Sequence, residues 1–173
     1  MVVVGLDFSK NKCGVVVYSE GTDGIAIDYK IFIRKDVISN KLVKSLSNSE
    51  KVIFYNLDNY VDTLSRYLLS LPSDKVIIFE GYSFGSTSRA IEQAEYEGAV
   101  KYVLSKNGVK NIISIPVTKI RKALGKGSYD KKDIFKKVPK EIKKEINKLK
   151  IFKYDISDAY AVAKAYSILN KGI

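Results

Sequence analysis

The chain contains no histidine and a single cysteine, Cys13. Without an imidazole neither a Ser-His-Asp nor a Cys-His nucleophilic system can be assembled, and proton transfer falls to carboxylates, lysines and tyrosines. A lone cysteine cannot close an internal disulfide, and with no histidine or second thiol beside it cannot nucleate a zinc site. Any bound metal must therefore take oxygen ligands, which favours hard cations such as magnesium or manganese. Long apolar runs are missing too, since none approaches the roughly 20 residues of a membrane span. The opening MVVVGLDFSKN has an apolar run without a basic flank or a small-residue cleavage site, and reads as a strand rather than a signal peptide. The expectation is a soluble cytoplasmic protein with no membrane partner.

What is present is a globular composition. The 173 residues are 46% hydrophobic and 28% charged, which fits one domain over residues 1–173 with a real core. The net charge of +11 is unevenly placed: residues 101–153 carry 17 Lys/Arg against 4 Asp/Glu, while the first hundred residues sum to −2 and the last twenty balance. A basic third beside a nearly neutral remainder is the electrostatic footprint of a phosphate-backbone binder. The plainer reading is a Lys-rich solvated surface.

Three β runs at residues 2–8, 14–19 and 25–33, separated by Ser-Lys-Asn-Lys and Gly-Thr-Asp-Gly turns, predict an antiparallel meander. Leu57, Tyr60, Val61, Leu64 and Leu68 recur at helical spacing until Leu71 and Pro72, and residues 76–79 form a short apolar run of buried-strand type. Residues 89–105 read as a helix with a small-residue stripe at Ala90, Ala94 and Gly98, and residues 111–115 as a fifth strand. Residues 119–150 are basic and mostly helical, broken by Gly125, Gly127 and Pro139, and residues 156–170 close the chain as a helix. This order predicts an α/β layer with a mixed five-stranded sheet flanked by helices. Residues 36–50 and the glycine loop at 125–129 are expected to be the least ordered.

Two otherwise apolar strands each end in an acid, Asp7 and Glu80. Sites in α/β sheets gather at the carboxyl ends of strands. Asp155 and Asp158, three apart at the start of the last helix, share one face of its first turn. If that helix docks on the sheet, four carboxylates converge. Two divalent ions about 3.5–4 Å apart would neutralise them and clamp the attacking and leaving oxygens of a phosphodiester. Each acid alone has a duller explanation, as a turn residue, an N-cap or a first-turn acid.

With these residues located, the chain resembles the RuvC family of Holliday-junction resolvases over nearly its whole length. The resemblance rests on GLDFS (residues 5–9), FEG (79–81), Pro116 followed nine residues later by GKGSYDK (125–131), and DISDA (155–159). It implies an RNase H-like fold and a metal-dependent, structure-specific endodeoxyribonuclease acting on four-way junctions and other branched DNA. Asp7, Glu80, Asp155 and Asp158 would hold two Mg2+ or Mn2+ ions, and Lys131 would stabilise charge at the scissile phosphate. The family's second active-site lysine falls on Ile120, leaving Lys119, Arg121 or Lys122 to substitute. Its aromatic wedge after the Glu is shifted to Tyr82 or Phe84, and Lys126 and Lys132 are further candidate DNA contacts. Residues 89–105 resemble the family's dimerisation helix, and two symmetric nicks call for a C2 homodimer. The stripe at Ala90, Ala94 and Gly98 could instead seat that helix on its own sheet. Other readings are an RNase H-like nuclease acting on RNA and a non-catalytic basic nucleic-acid-binding module. An actin-like kinase, suggested by GLDFS as a phosphate-binding hairpin, requires a duplicated domain that 173 residues do not hold.

Overall fold

In the computed structural model of the chain, the described residues are 1–21, 24–34, 51–54, 56–81 and 87–170. Residues 36–50, Tyr82 and Phe84 lie outside them. Strands β1 (Val2–Phe8), β2 (Lys12–Gly21) and β3 (Gly24–Arg34) form the expected antiparallel meander. Strand β4 (Lys51–Phe54) runs parallel beside β3. Helix α1 (Leu57–Ser70) then crosses to β5 (Val76–Gly81), which lies parallel to β1. Helix α2 (Thr87–Lys106) crosses to β6 (Ile112–Pro116), parallel to β5. The chain ends in α3 (Val117–Leu124), α4 (Lys131–Lys137), α5 (Lys140–Ile146), a 3-10 turn (Asn147–Phe152) and α6 (Lys153–Leu169).

The architecture is α/β with a mixed sheet in the order β4-β3-β2-β1-β5-β6. Among the described residues it has six strands, which corrects the expected five. The additional one, KVIF, is a four-residue edge strand directly after a Ser/Asn/Lys-rich tract. A run that short shows no resolvable period, and only pairing with β3 makes it a strand. Strand β2 also begins two residues before the expected Gly14, at Lys12, a difference that matters at the site. Among the described residues no helix is long and apolar enough to cross a membrane.

Alternation along the strands sorts the core into two layers. Val4, Leu6 and Phe8 of β1 and Ile77 and Phe79 of β5 pack with Tyr60, Leu64 and Leu68 of α1 and Val100 and Leu104 of α2. Val3, Val16, Tyr18 and Ile78 face the other way, against Ile156, Ala159, Tyr160, Val162 and Ala163 of α6. Asp7 and Glu80 fall on this second face by the same period of two.

Helix α6 is buried along most of its length, and the sequence lets it lie against bare backbone. A β-carbon on Gly5 would stand 2.2 Å from the Ala159 carbonyl oxygen and 2.7 Å from the Ala163 nitrogen. One on Gly14 would stand 2.4 Å from the Asp155 carbonyl oxygen. Two strand glycines and the small residues of α6 thus bring the helix within reach of the acid on β1.

Candidate active site

The parallel register pairs Leu6 with Phe79, which sets the next residues, Asp7 and Glu80, side by side on neighbouring strands. Strand β6 runs straight into α3 through Pro116, whose fixed φ suits the start of a helix, and so carries Val117, Ile120 and Arg121 over the strand ends. The loop from α3 to α4 turns at Gly125, where φ is +144° and a β-carbon would lie 2.5 Å from the Tyr129 hydroxyl. This loop wraps Tyr129, whose ring also carries the Lys137 ammonium at 5.2 Å. Asp130 then caps α4 in a reciprocal capping box with Asp133, fixing Lys131 as the first helical residue.

These elements enclose a cleft of about 70 Å³ lined by Asp7, Glu80, Val117, Ile120, Arg121, Lys131, Ile134, Asp158 and Ala161. Three of the four expected acids are therefore gathered, from β1, β5 and α6, with two cations facing them. The Lys131 ammonium lies 3.2 Å from Asp158 Oδ2. A lysine in the first turn of a helix opposes the helix dipole, so its place there is set by the carboxylates it faces. Among the described residues neither the Asp7 nor the Glu80 carboxylate makes a direct hydrogen bond or ion pair.

The electrostatics follow from crowding. Burial, then Glu80, Asp158 and Asp155, push the Asp7 carboxyl well above its ordinary range. Burial and Asp158 raise Glu80 to about 7 against the pull of Lys131 and Arg121. Burial also raises Asp158, against the pull of Lys131. Burial by itself would lower the Lys131 ammonium, but Asp158, Asp7 and Asp155 raise it. A cluster that resists its own ionisation, offers only oxygen donors and leaves two carboxylates unbonded fits a hard divalent cation. As placed, no three acids among the described residues stand close enough to grip one ion.

Asp155, the fourth acid, does not line the cleft. It is buried at the first turn of α6, where both its oxygens are taken by the Lys12 ammonium at 2.6 and 2.7 Å. The N-cap explanation does not apply to Asp155 or Asp158, because α6 begins at Lys153 with no side-chain cap.

Of the three basic residues open as substitutes for the lysine at Ile120, only Arg121 lines the cleft. Lys119 borders a different surface hollow with Ser114 and Tyr166, and Lys122 is exposed against Gly127. Lys126 and Lys132 are exposed and do not line the cleft. Lys12 is the residue sequence reasoning missed. Its signal was its period of two with Gly14, Val16 and Tyr18, which turns a lysine toward α6, hidden because SKNK reads as turn chemistry.

No family model matches the sequence, and no curated protein sequence does. Solved structures do match in fold. The Thermus thermophilus RuvC structure aligns over 99% of this chain and 96% of that one, at 15% identity and a TM-score of 0.58. T. thermophilus RuvC in complex with Holliday junction substrate aligns over the same shares at 15% identity and 0.61. A Fowlpox virus resolvase in complex with substrate Holliday junction DNA aligns over 99% of this chain and all of that one, at 14% identity and 0.54. At these identities the likeness is one of fold, and it carries the expected RNase H-like architecture.

Proposed function

We propose that this chain is a metal-dependent endonuclease that resolves four-way DNA junctions and related branched DNA, working as a homodimer that places one nick per subunit. The observation that carries the reading is the convergence of Asp7, Glu80 and Asp158 from three separate elements on one cleft faced by Lys131 and Arg121. That two of the fold neighbours are described as bound to Holliday junction DNA supports junctions as the substrate class.

In this reading Asp7, Glu80, Asp155 and Asp158 hold two Mg2+ or Mn2+ ions. When bound, such ions activate water and neutralise the phosphodiester oxygens. Lys131 faces the charge that develops on the scissile phosphate, so its contribution belongs mainly to the transition state. Arg121 holds a phosphate oxygen beside it, filling the position that Ile120, buried among apolar neighbours, cannot fill. Lys122, Lys126 and Lys132, with the wider basic segment, track the DNA backbone on either side, and Tyr82 and Phe84, two and four residues after Glu80 in sequence, are candidate wedges at the crossover. Labelled four-way junctions and matched duplexes, incubated with Mg2+ or with EDTA, test the proposal. The expected result is paired nicking of junctions only with the metal, and undiminished cleavage in EDTA would overturn it.

A further inference from the structure

Of the four acids the proposed function assigns to metal, three open on the cleft and one does not; the one withheld has both its oxygens held by a lysine, whereas Asp158 meets Lys131 through one oxygen at 3.2 Å. Lys12 donates to both oxygens of Asp155 while its ammonium lies 5.9 Å from the centre of the Phe152 ring. The Asp155 side chain is only 5% exposed, so Lys12 takes the place of solvent around it, whereas Lys12 itself is 34% exposed and has water within reach. The helix does not hold the lysine there. An ammonium beside the first turn of the 17-residue α6 stands at the wrong end of the helix dipole, and the carboxylate is what keeps it. We propose that Lys12 is the resident counter-ion of Asp155, a positioning residue that occupies this carboxylate in the metal-free protein and is exchanged for a divalent ion when the site fills.

The inference rests on the metal-dependent reading and adds a competition to it. A carboxylate this buried needs a cation at all times, because leaving it charged and unpaired is costly. Lys12 meets that need between metal-binding events, and its exposed position lets the ammonium return to water when a divalent ion arrives. A purely structural Lys12–Asp155 bridge would instead stabilise the filled and empty protein alike.

The test is a Mn2+ binding titration on the wild type, Lys12→Met, Asp155→Asn and the double variant, with melting curves in EDTA. Methionine keeps an unbranched stem against Phe152 and removes the charge. Lys12→Met should bind Mn2+ more tightly, by about tenfold or more, and melt lower in EDTA. Both effects should vanish in the Asp155→Asn background, because they act through that carboxylate. Lys12→Arg should move affinity the other way, since a guanidinium holds both oxygens more firmly, and it carries the test if the methionine variant does not fold. Unchanged or weaker binding by Lys12→Met, or equal tightening in the Asp155→Asn background, overturns the inference. Failure of every variant to bind Mn2+ would sink the metal-dependent reading along with it, whereas binding that ignores Lys12 sinks this inference alone.

Discussion

Gly5 and Ala159 meet backbone to backbone: a β-carbon on the strand residue would stand 2.2 Å from the helix carbonyl oxygen. The relationship is structural in origin and functional in effect, because the same approach of α6 to β1 brings Asp158 to the cleft that Asp7 floors. Gly5→Ala forces that contact apart. Overpacking of this kind costs about 1–3 kcal/mol, and here the obstacle is backbone that cannot rotate away. The expected result is a folded protein with a lower melting temperature and at least a tenfold loss of cleavage, because carboxylate spacing changes with the helix. Wild-type cleavage at wild-type stability would show that α6 is less closely seated.

The second prediction concerns pH. Glu80 titrates near 7 in the fold against an ordinary 4.5, so the folded protein binds a proton there that the unfolded chain has lost. Stability from this group is full below about pH 4.5 and is lost as pH rises through about 7. In EDTA the melting temperature of the wild type relative to Glu80→Gln should therefore fall across that window. Mg2+ should flatten the difference, since a bound cation offsets both the burial and the repulsion from Asp158 that raise the carboxyl. A difference independent of pH in EDTA would mean that burial and Asp158 do not hold the Glu80 carboxyl up.

The architecture was readable because its signals are periodic: alternation marked the meander, and helical spacing placed α1 and α6 to within a few residues. Asp7 and Glu80 stood out as acids ending apolar strands. What stayed hidden depends on tertiary contact. Strand β4 is too short to carry a period, and the two aspartates of α6 look equivalent in sequence. Only docking turns Asp158 to the cleft and Asp155 to Lys12. Choosing among Lys119, Arg121 and Lys122 likewise required the angle at which α3 leaves β6, since consecutive helical residues differ by about 100° in direction.

Substitutions in the cleft should separate chemistry from binding. Asp7→Asn, Glu80→Gln and Asp158→Asn should each abolish cleavage while junction binding survives, because affinity comes from the basic surface. Lys131→Ala should lower the single-turnover rate by about a hundredfold, with affinity changed about threefold or less. Arg121→Ala should show the same sign of imbalance with a smaller loss of rate. Filter binding and single-turnover cleavage on one junction give both quantities. Cleavage persisting in two of the three acid variants, or equal losses of rate and affinity for Lys131→Ala, would refute the assignment.

The basic segment makes a prediction of its own. Lys122, Lys126, Lys132, Lys136 and Lys137 are all exposed around α3 and α4, and among the described residues Lys136 alone of these is held in a salt bridge, with Asp133. If they neutralise DNA phosphates, affinity should fall by orders of magnitude between about 50 and 200 mM salt. Reversing Lys126 and Lys132 to Glu should reduce the slope of log affinity against log salt by about 2. A flat salt response would make this segment solvated surface.

The last prediction concerns assembly. Helix α2 is seated on the sheet by Val100 and Leu104 and by the buried Glu97, whose carboxylate pairs with Lys101 at 2.5 Å. Ala94 and Gly98 are not part of that seat. Ala94 is exposed, a β-carbon on Gly98 would meet nothing within 4 Å, and Ile91 and Tyr102 flank them at 64% and 66% exposure. Residues 91, 94, 98 and 102 recur at helical spacing, so one outward stripe presents two large apolar side chains around a shallow centre. If a second copy packs there, Ala94→Leu or Gly98→Leu should push two helices apart and give monomers. Because both positions face open space within the subunit, the variants should melt no more than a few degrees below the wild type, and Gly98→Ala should stabilise each subunit by about 0.5–1 kcal/mol through helix propensity. Paired incision should be lost before single nicking, since only the pairing depends on two sites being joined. Light scattering decides the matter together with a junction assay: a monomeric wild type that still makes paired nicks would overturn the dimer, and unfolding of both leucine variants would show that this stripe is needed within the subunit.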